Sequence, residues 1–209
     1  MFSRFAKISA PTWGVLIALI LIGAGVMVLA RGRKELRSPR ILAIGALCVA
    51  LAFVLHCVKL FSMPQGGSVT PASMLPILAF AYYFGLAPGV LAGVAFGLLN
   101  LLYSPDILSF WQVMLDYPIA FGILGLAALF RGWRDDGGFL VGILVGVVGR
   151  FICAILAGVV FWYEYAGAQN PLIYSIIYNG SYLLPEMIIC VAVAAIPGVR
   201  SMLKRIATV

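Results

Sequence analysis

Long apolar runs alternate along this chain with short polar or charged breaks, and the apolar runs show neither a two-residue nor a clean helical alternation. Runs of about 20 apolar residues are the length a helix needs to cross a bilayer, whereas barrel strands would show shorter, alternating segments. Six spans are read in order at Ile41–Phe61, Ala72–Phe84, Ala87–Tyr103, Phe110–Phe130, Phe139–Tyr163 and Tyr174–Ile196. A further apolar run, Trp13–Ala30, precedes them. No small-residue cleavage pattern follows it, so a retained first helix is expected rather than a removed signal peptide. The chain thus divides into an N-terminal helix with a basic linker (1–40), a six-span membrane unit (41–196) and a basic tail (197–209).

Charge sets the orientation. The chain is 64% hydrophobic and 10% charged, with a formal net charge of +7. Its basic residues gather at 31–40, 131–134 and 200–205, whereas the loops at 62–71, 104–108 and 164–173 have none. Basic loops stay in the cytoplasm, so the six spans alternate regularly and the loops without basic residues face outside. A nucleic-acid role is excluded, since no soluble basic domain exists to carry it.

Few residues offer chemistry. The four cysteines and the one histidine form no metal-binding or redox motif, so no cofactor is implied. Walker A, GxSxG and HExxH motifs are absent as well, which speaks against an ATPase or hydrolase. What stands out is the aromatic and polar stretch Gly158-Val-Val-Phe-Trp-Tyr-Glu-Tyr-Ala166, followed by Tyr174, Tyr178 and Asn179. Two readings compete for it: an aromatic belt at the membrane surface, or the wall of a small pocket.

Asp116, inside an apolar span, costs roughly 2.5–3.5 kcal/mol to insert and must face protein, water or a cation. It is either the counter-charge of a ligand or the partner of Arg150 on the next span. Counting residues from the helix ends places Arg150 deeper, which favours Asp116 in an outward pocket and lets Arg150 snorkel inward. Glu186 reads at least as well as a structural group bonded to a neighbouring helix as it does as a ligand group. His56, near the outer end of its span, reads as a satisfied structural histidine. Gly89, Gly93 and Gly97, spaced by four, and the pair Ala46 and Ala50 are small-residue faces that let another helix approach.

Several of these segments together resemble one family. Leu115-Asp-Tyr-Pro-Ile-Ala-Phe-Gly122, Arg150-Phe-Ile-Cys-Ala-Ile-Leu-Ala-Gly-Val-Val-Phe-Trp162, Tyr174-Ser-Ile-Ile-Tyr-Asn-Gly-Ser181 and the loop Gly66–Pro76 occur in the order found in thiamine-binding S-components of energy-coupling factor (ECF) vitamin transporters. The resemblance spans about Ile41 to Ile196. It implies an all-α, multi-pass protein of the bacterial plasma membrane: a six-helix S-component bundle, here with an extra N-terminal transmembrane helix. It also implies a binding subunit with no catalysis of its own, which captures thiamine or a thiamine-like ligand outside and depends on an ECF coupling subunit and ATPase subunits.

Residue by residue, the resemblance makes Asp116 the ligand acid and Tyr117 its neighbour. Gly158 becomes the pocket glycine and Trp162 the stacking ring, while Tyr174 and Asn179 are hydrogen-bonding groups. Ala46 and Ala50 match the docking face for the coupling subunit. Ala154 departs from the family, which usually has a histidine there. The alternatives are a stand-alone transporter of thiamine or a related pyrimidine compound, and a small intramembrane enzyme, for which no nucleophile–base pair is present.

Overall fold

A computed structural model describes residues 38–133 and 137–208. The expected N-terminal helix at Trp13–Ala30, most of its basic linker and Arg134 lie outside the described residues. The order is α1 (Pro39–Cys57), a hairpin of β1 (Phe61–Ser62) and β2 (Ser68–Val69), α2 (Leu75–Phe84), α3 (Leu86–Tyr103), α4 (Phe110–Phe130), α5 (Gly137–Val160), α6 (Pro171–Ala195) and α7 (Pro197–Thr208). Five of these helices, α1, α3, α4, α5 and α6, are long and apolar enough to cross a membrane. The fold is all-α, as expected.

One expected element differs from the structure. The second span is a helix of only 10 residues, Leu75–Phe84, or about 15 Å of rise where the bilayer core needs about 30 Å. The chain leading into it, Thr70 to Met74, is buried but not helical. Irregular backbone at that depth is tolerated only inside protein, and here side-chain bonds from α6 hold it. Ala72 in this segment has φ 63°, a left-handed conformation that strains a residue with a Cβ. The basic tail carries a separate amphipathic helix, α7, beginning at Pro197.

The core is formed by α2, sheathed by α3, α4 and α5, with Ile77, Leu78, Phe96, Leu124 and Ile143 fully buried. Outward residues such as Leu47, Leu51 and Val54 on α1 and Ile177 and Ile188 on α6 are exposed apolar side chains, which suits a lipid-facing surface. α3 meets α4 through its glycines. A Cβ at Gly97 would lie 2.5 Å from the Tyr117 carbonyl oxygen, and one at Gly93 would overlap the Phe121 carbonyl. Only glycine permits this approach, so the glycine spacing seen in the sequence sets how closely α3 backs the segment carrying Asp116.

That segment is itself unusual. α4 opens as an ordinary helix at Phe110–Met114, widens into a π turn at Leu115–Ile119 and ends as a tighter 3-10 stretch at Ile123–Phe130. Pro118 lies inside the wide turn. Proline has no N–H for the helical ladder and its ring crowds the preceding turn, which accounts for the local widening.

Candidate functional site

A cavity of about 190 Å³ opens at the end of the bundle opposite the basic segments, between α3, α4, α5, α6 and the hairpin loop. At the other end the Arg40 guanidinium donates to the Ile206 carbonyl (3.1 Å), bringing the start of α1 beside α7. The start of α1 and the basic tail therefore share a face.

Asp116 projects into the cavity from the wide turn of α4. Its Oδ2 accepts from Gln112 Nε2 (2.6 Å) and from the indole Nε1 of Trp162 (3.1 Å). Gln112 is wholly buried, and its Oε1 in turn accepts from the backbone N–H of Leu108 (3.0 Å). Both donors reach the same carboxylate oxygen, and Oδ1 has no hydrogen bond among the described residues. Trp162 thus binds Asp116 with its edge, while its face lies 5.8 Å from that of Tyr165 in a nearly parallel stack (26°).

On α6, Tyr174 and Asn179 both line the cavity. Helical geometry sets residues five apart about 140° around the axis, so the cavity has to wrap α6 near its outer end to include both. Asn179 is bonded at both ends of its amide: Nδ2 donates to the Ser175 carbonyl (2.9 Å), to Ser175 Oγ (3.1 Å) and to the Ala154 carbonyl (3.3 Å). Its Oδ1 accepts from the Tyr182 hydroxyl (2.7 Å). At Ala154, a methyl group therefore faces the cavity while the backbone serves as an anchor for Asn179. Gly158 lines the cavity too, and a Cβ there would overlap Ser175 Oγ. Its lack of a side chain lets α5 and α6 close together at the level of Asn179.

Tyr117 lines the cavity, but its hydroxyl is occupied by the α3–α4 loop. It accepts from the Asp106 N–H (3.1 Å) and donates to the Ser104 carbonyl (3.0 Å). Arg150 departs from the sequence reading. Rather than snorkelling to the inner face, it lines the same cavity, with its guanidinium 4.0 Å from the centre of the Phe121 ring. From the outer end of α5 it lies about 15 Å deep and Asp116 about 9 Å deep on α4, a gap that an arginine side chain spans. The structure shows no direct pair between them; Asp116 is bonded to Gln112 and Trp162 instead.

Glu186 serves as a buried anchor. Its Oε1 accepts from Thr70 Oγ1 (2.5 Å) and Ser73 Oγ (2.8 Å), tying the non-helical lead-in of α2 to α6. The hairpin loop is held against α6 at two further points: Gln65 N–H donates to the Tyr178 hydroxyl (3.0 Å), and Gly67 lies on the Tyr182 ring. His56 packs edge-on against Phe96 and Tyr103. Gln112, Ser175 and Tyr182 were not singled out from sequence. Gln112 had a signal, lying one helical turn before Asp116 on the same face. Far from the cavity, Ala46 and Ala50 both lie on the exposed side of α1.

Residues 42–205 match the family model described as Thiamine transporter protein (Thia_YuaJ). The chain belongs to this family. It is 30% identical over 167 residues to the thiamine transporter ThiT of Bacillus subtilis (strain 168), covering 71% of this chain and 84% of that protein. With the thiamine transporter ThiT of Lacticaseibacillus paracasei it shares 29% identity over 169 residues, 73% of this chain and 82% of that one. A solved structure of ThiT from Listeria monocytogenes has the same fold, with a TM-score of 0.68 and 24% identity over 79% of this chain and 93% of that one. Family membership and the apolar helices make this a multi-pass bacterial membrane protein whose role is transport rather than catalysis.

Proposed function

We propose that the chain is the S-component of an ECF importer: it captures thiamine from outside in this cavity and delivers it with an ATP-driven coupling module. The observation that carries the reading is Asp116, a carboxylate fixed by Gln112 and the Trp162 indole in an aromatic-walled cavity, with one oxygen left over. Thiamine is a flat cation with a hydrogen-bonding pyrimidine, so it calls for a counter-charge, ring faces and a few polar partners. Asp116 supplies the charge, and Trp162 and Tyr174 the ring faces. Asn179 Oδ1, which has a second lone pair, accepts from the ligand, and Gly158 keeps the wall thin beside it. Tyr117 contributes by fixing the outer loop.

Family membership supports thiamine as the transported compound. The coupling module is inferred from the exposed small-residue face of Ala46 and Ala50, which suits close docking of another helix, and from the lack of any nucleotide-binding motif in the chain. Titration of the purified protein with thiamine, followed by tryptophan fluorescence, tests the ligand; no saturable change would overturn it. Thiamine uptake in cells with and without an ECF coupling module tests the partner, and equal uptake in both would establish a stand-alone transporter instead.

A further inference from the structure

Deep in the cavity lies a charged group that the thiamine reading leaves unused. Arg150 sits about 15 Å below the outer end of α5, with its guanidinium 4.0 Å from the centre of the Phe121 ring. Among the described residues it makes no hydrogen bond and no ion pair. The nearby acids are engaged elsewhere: Glu186 by Thr70 and Ser73, Asp116 by Gln112 and Trp162. Yet no buried side-chain nitrogen among the described residues lacks a partner. The guanidinium nitrogens are therefore open to the cavity that Arg150 lines. Held over a ring, a guanidinium keeps its N–H edges for an acceptor. Outward along the same face of α5 come Ala154 and Gly158, at intervals of four, and both line the cavity. That face puts nothing larger than a methyl group between Arg150 and a ligand bound at the level of Asp116.

A fixed cation at this depth repels the charged part of a cationic ligand and attracts an acceptor. Thiamine carries both features on separate rings. Its charge lies on the thiazolium, while its aminopyrimidine is neutral and has unsubstituted ring nitrogens that accept hydrogen bonds. We propose that Arg150 is a ligand-contacting specificity residue, which donates to a pyrimidine ring nitrogen and so selects the ring that enters first. The thiazolium then stays at the level of Asp116, and the pyrimidine, joined to it by one methylene, points inward. The inference rests on the thiamine reading. An inorganic anion is the other acceptor that suits a guanidinium, but stripping an anion of its water at this depth is costly.

The test is a titration of the full chain, in detergent or nanodiscs, with thiamine and with two analogues, each having CH in place of one pyrimidine nitrogen. Wild type should bind one of the two analogues about tenfold to a hundredfold more weakly than thiamine, the range of a charge-assisted hydrogen bond. Arg150→Met keeps an unbranched apolar chain against Phe121 and removes the donors. It should bind thiamine at least about tenfold more weakly than wild type does. The discriminating analogue should bind Arg150→Met no more weakly than it binds wild type, because repulsion of the thiazolium disappears with the charge. Arg150→Lys, which keeps the charge as a compact donor, should fall between the two. If both variants shift thiamine and both analogues by equal factors, Arg150 is structural and the inference is overturned. The same follows if wild type binds both analogues as well as thiamine, or if its thiamine affinity rises with added sodium phosphate, which would place an inorganic anion on the guanidinium. Each of these leaves the transport reading standing. A wild type that binds none of the three ligands would remove both.

Discussion

Replacing Asp116 with asparagine keeps the shape of the side chain and removes its charge. In the empty protein the cost is modest. Gln112 and Trp162 can still donate to the amide oxygen, at 2.6 and 3.1 Å in the native pair. Each bond falls from a charged to a neutral acceptor, a loss of about 1 kcal/mol apiece. Against that stands the relief of no longer holding a charge within an apolar span, about 2.5–3.5 kcal/mol on insertion scales. The two effects nearly offset each other. The melting temperature of the empty protein is therefore expected to move by only a few degrees.

Binding behaves differently, because the ligand brings the charge that Asp116 complements. Truncating one member of a buried charge pair typically costs about 2–5 kcal/mol, or roughly 30-fold to several thousand-fold in dissociation constant. Isothermal titration of thiamine into wild type and Asp116→Asn measures this directly. A neutral analogue, in which the cationic ring is replaced by an uncharged one, closes the cycle: its affinity should hardly respond to the mutation. If Asp116→Asn binds thiamine within threefold of wild type, or loses thiamine and the neutral analogue equally, the carboxylate is structural and the counter-charge argument fails.

Three further outcomes are expected. Trp162→Ala should abolish ligand-dependent fluorescence quenching and weaken binding, since it removes both a ring face and a donor to Asp116; unchanged quenching would make Trp162 a belt residue. Gly97→Ala forces a Cβ to within 2.5 Å of the Tyr117 carbonyl, and backbone there cannot yield as a side chain would. It should lower the melting temperature by several degrees, at about 1–3 kcal/mol for overpacking, and weaken thiamine binding by displacing the Asp116 turn; wild-type values for both would refute the contact. Ala46→Trp or Ala50→Trp should leave thiamine binding intact yet block uptake, because a bulky ring would hold a partner helix away. Normal uptake by both would remove this face as the docking surface.

The spans were legible because membrane insertion writes itself locally: each needs its own apolar length, and the loops between them carry or lack basic residues. α2 broke the pattern for the same physical reason. Its lead-in, Thr70 to Met74, is hidden within protein rather than exposed to lipid, so it need not be helical. The acid that holds it, Glu186, lies 113 residues from Ser73. Nothing local announces such a bond. The candidate site divides along the same line. Trp162 and Asp116 were conspicuous as polar groups in apolar sequence, but the bond between them joins residues 46 apart and appears only when α4 and α5 pack. Depth counting misplaced Arg150 because it compared backbone positions, whereas a long side chain reaches across the difference.

The position of Asp116 follows from the proline two residues after it. A regular α-helix through Leu115–Ile119 would call for a ladder bond that Pro118 cannot supply. The π turn inserts extra width there, and wide turns of this kind recur at functional sites because they re-aim the side chains they carry. Three residues fit that bulge. Gly97 and Gly93 on α3 accept the backbone of Tyr117 and Phe121 at distances no side chain would allow, and Gln112, in the ordinary turn before it, reaches forward to hold the carboxylate. The glycine spacing on α3, the proline in α4 and the glutamine before the acid are thus three parts of one device. Each is visible in the sequence, yet only α3 packed on α4 shows that they serve the same carboxylate.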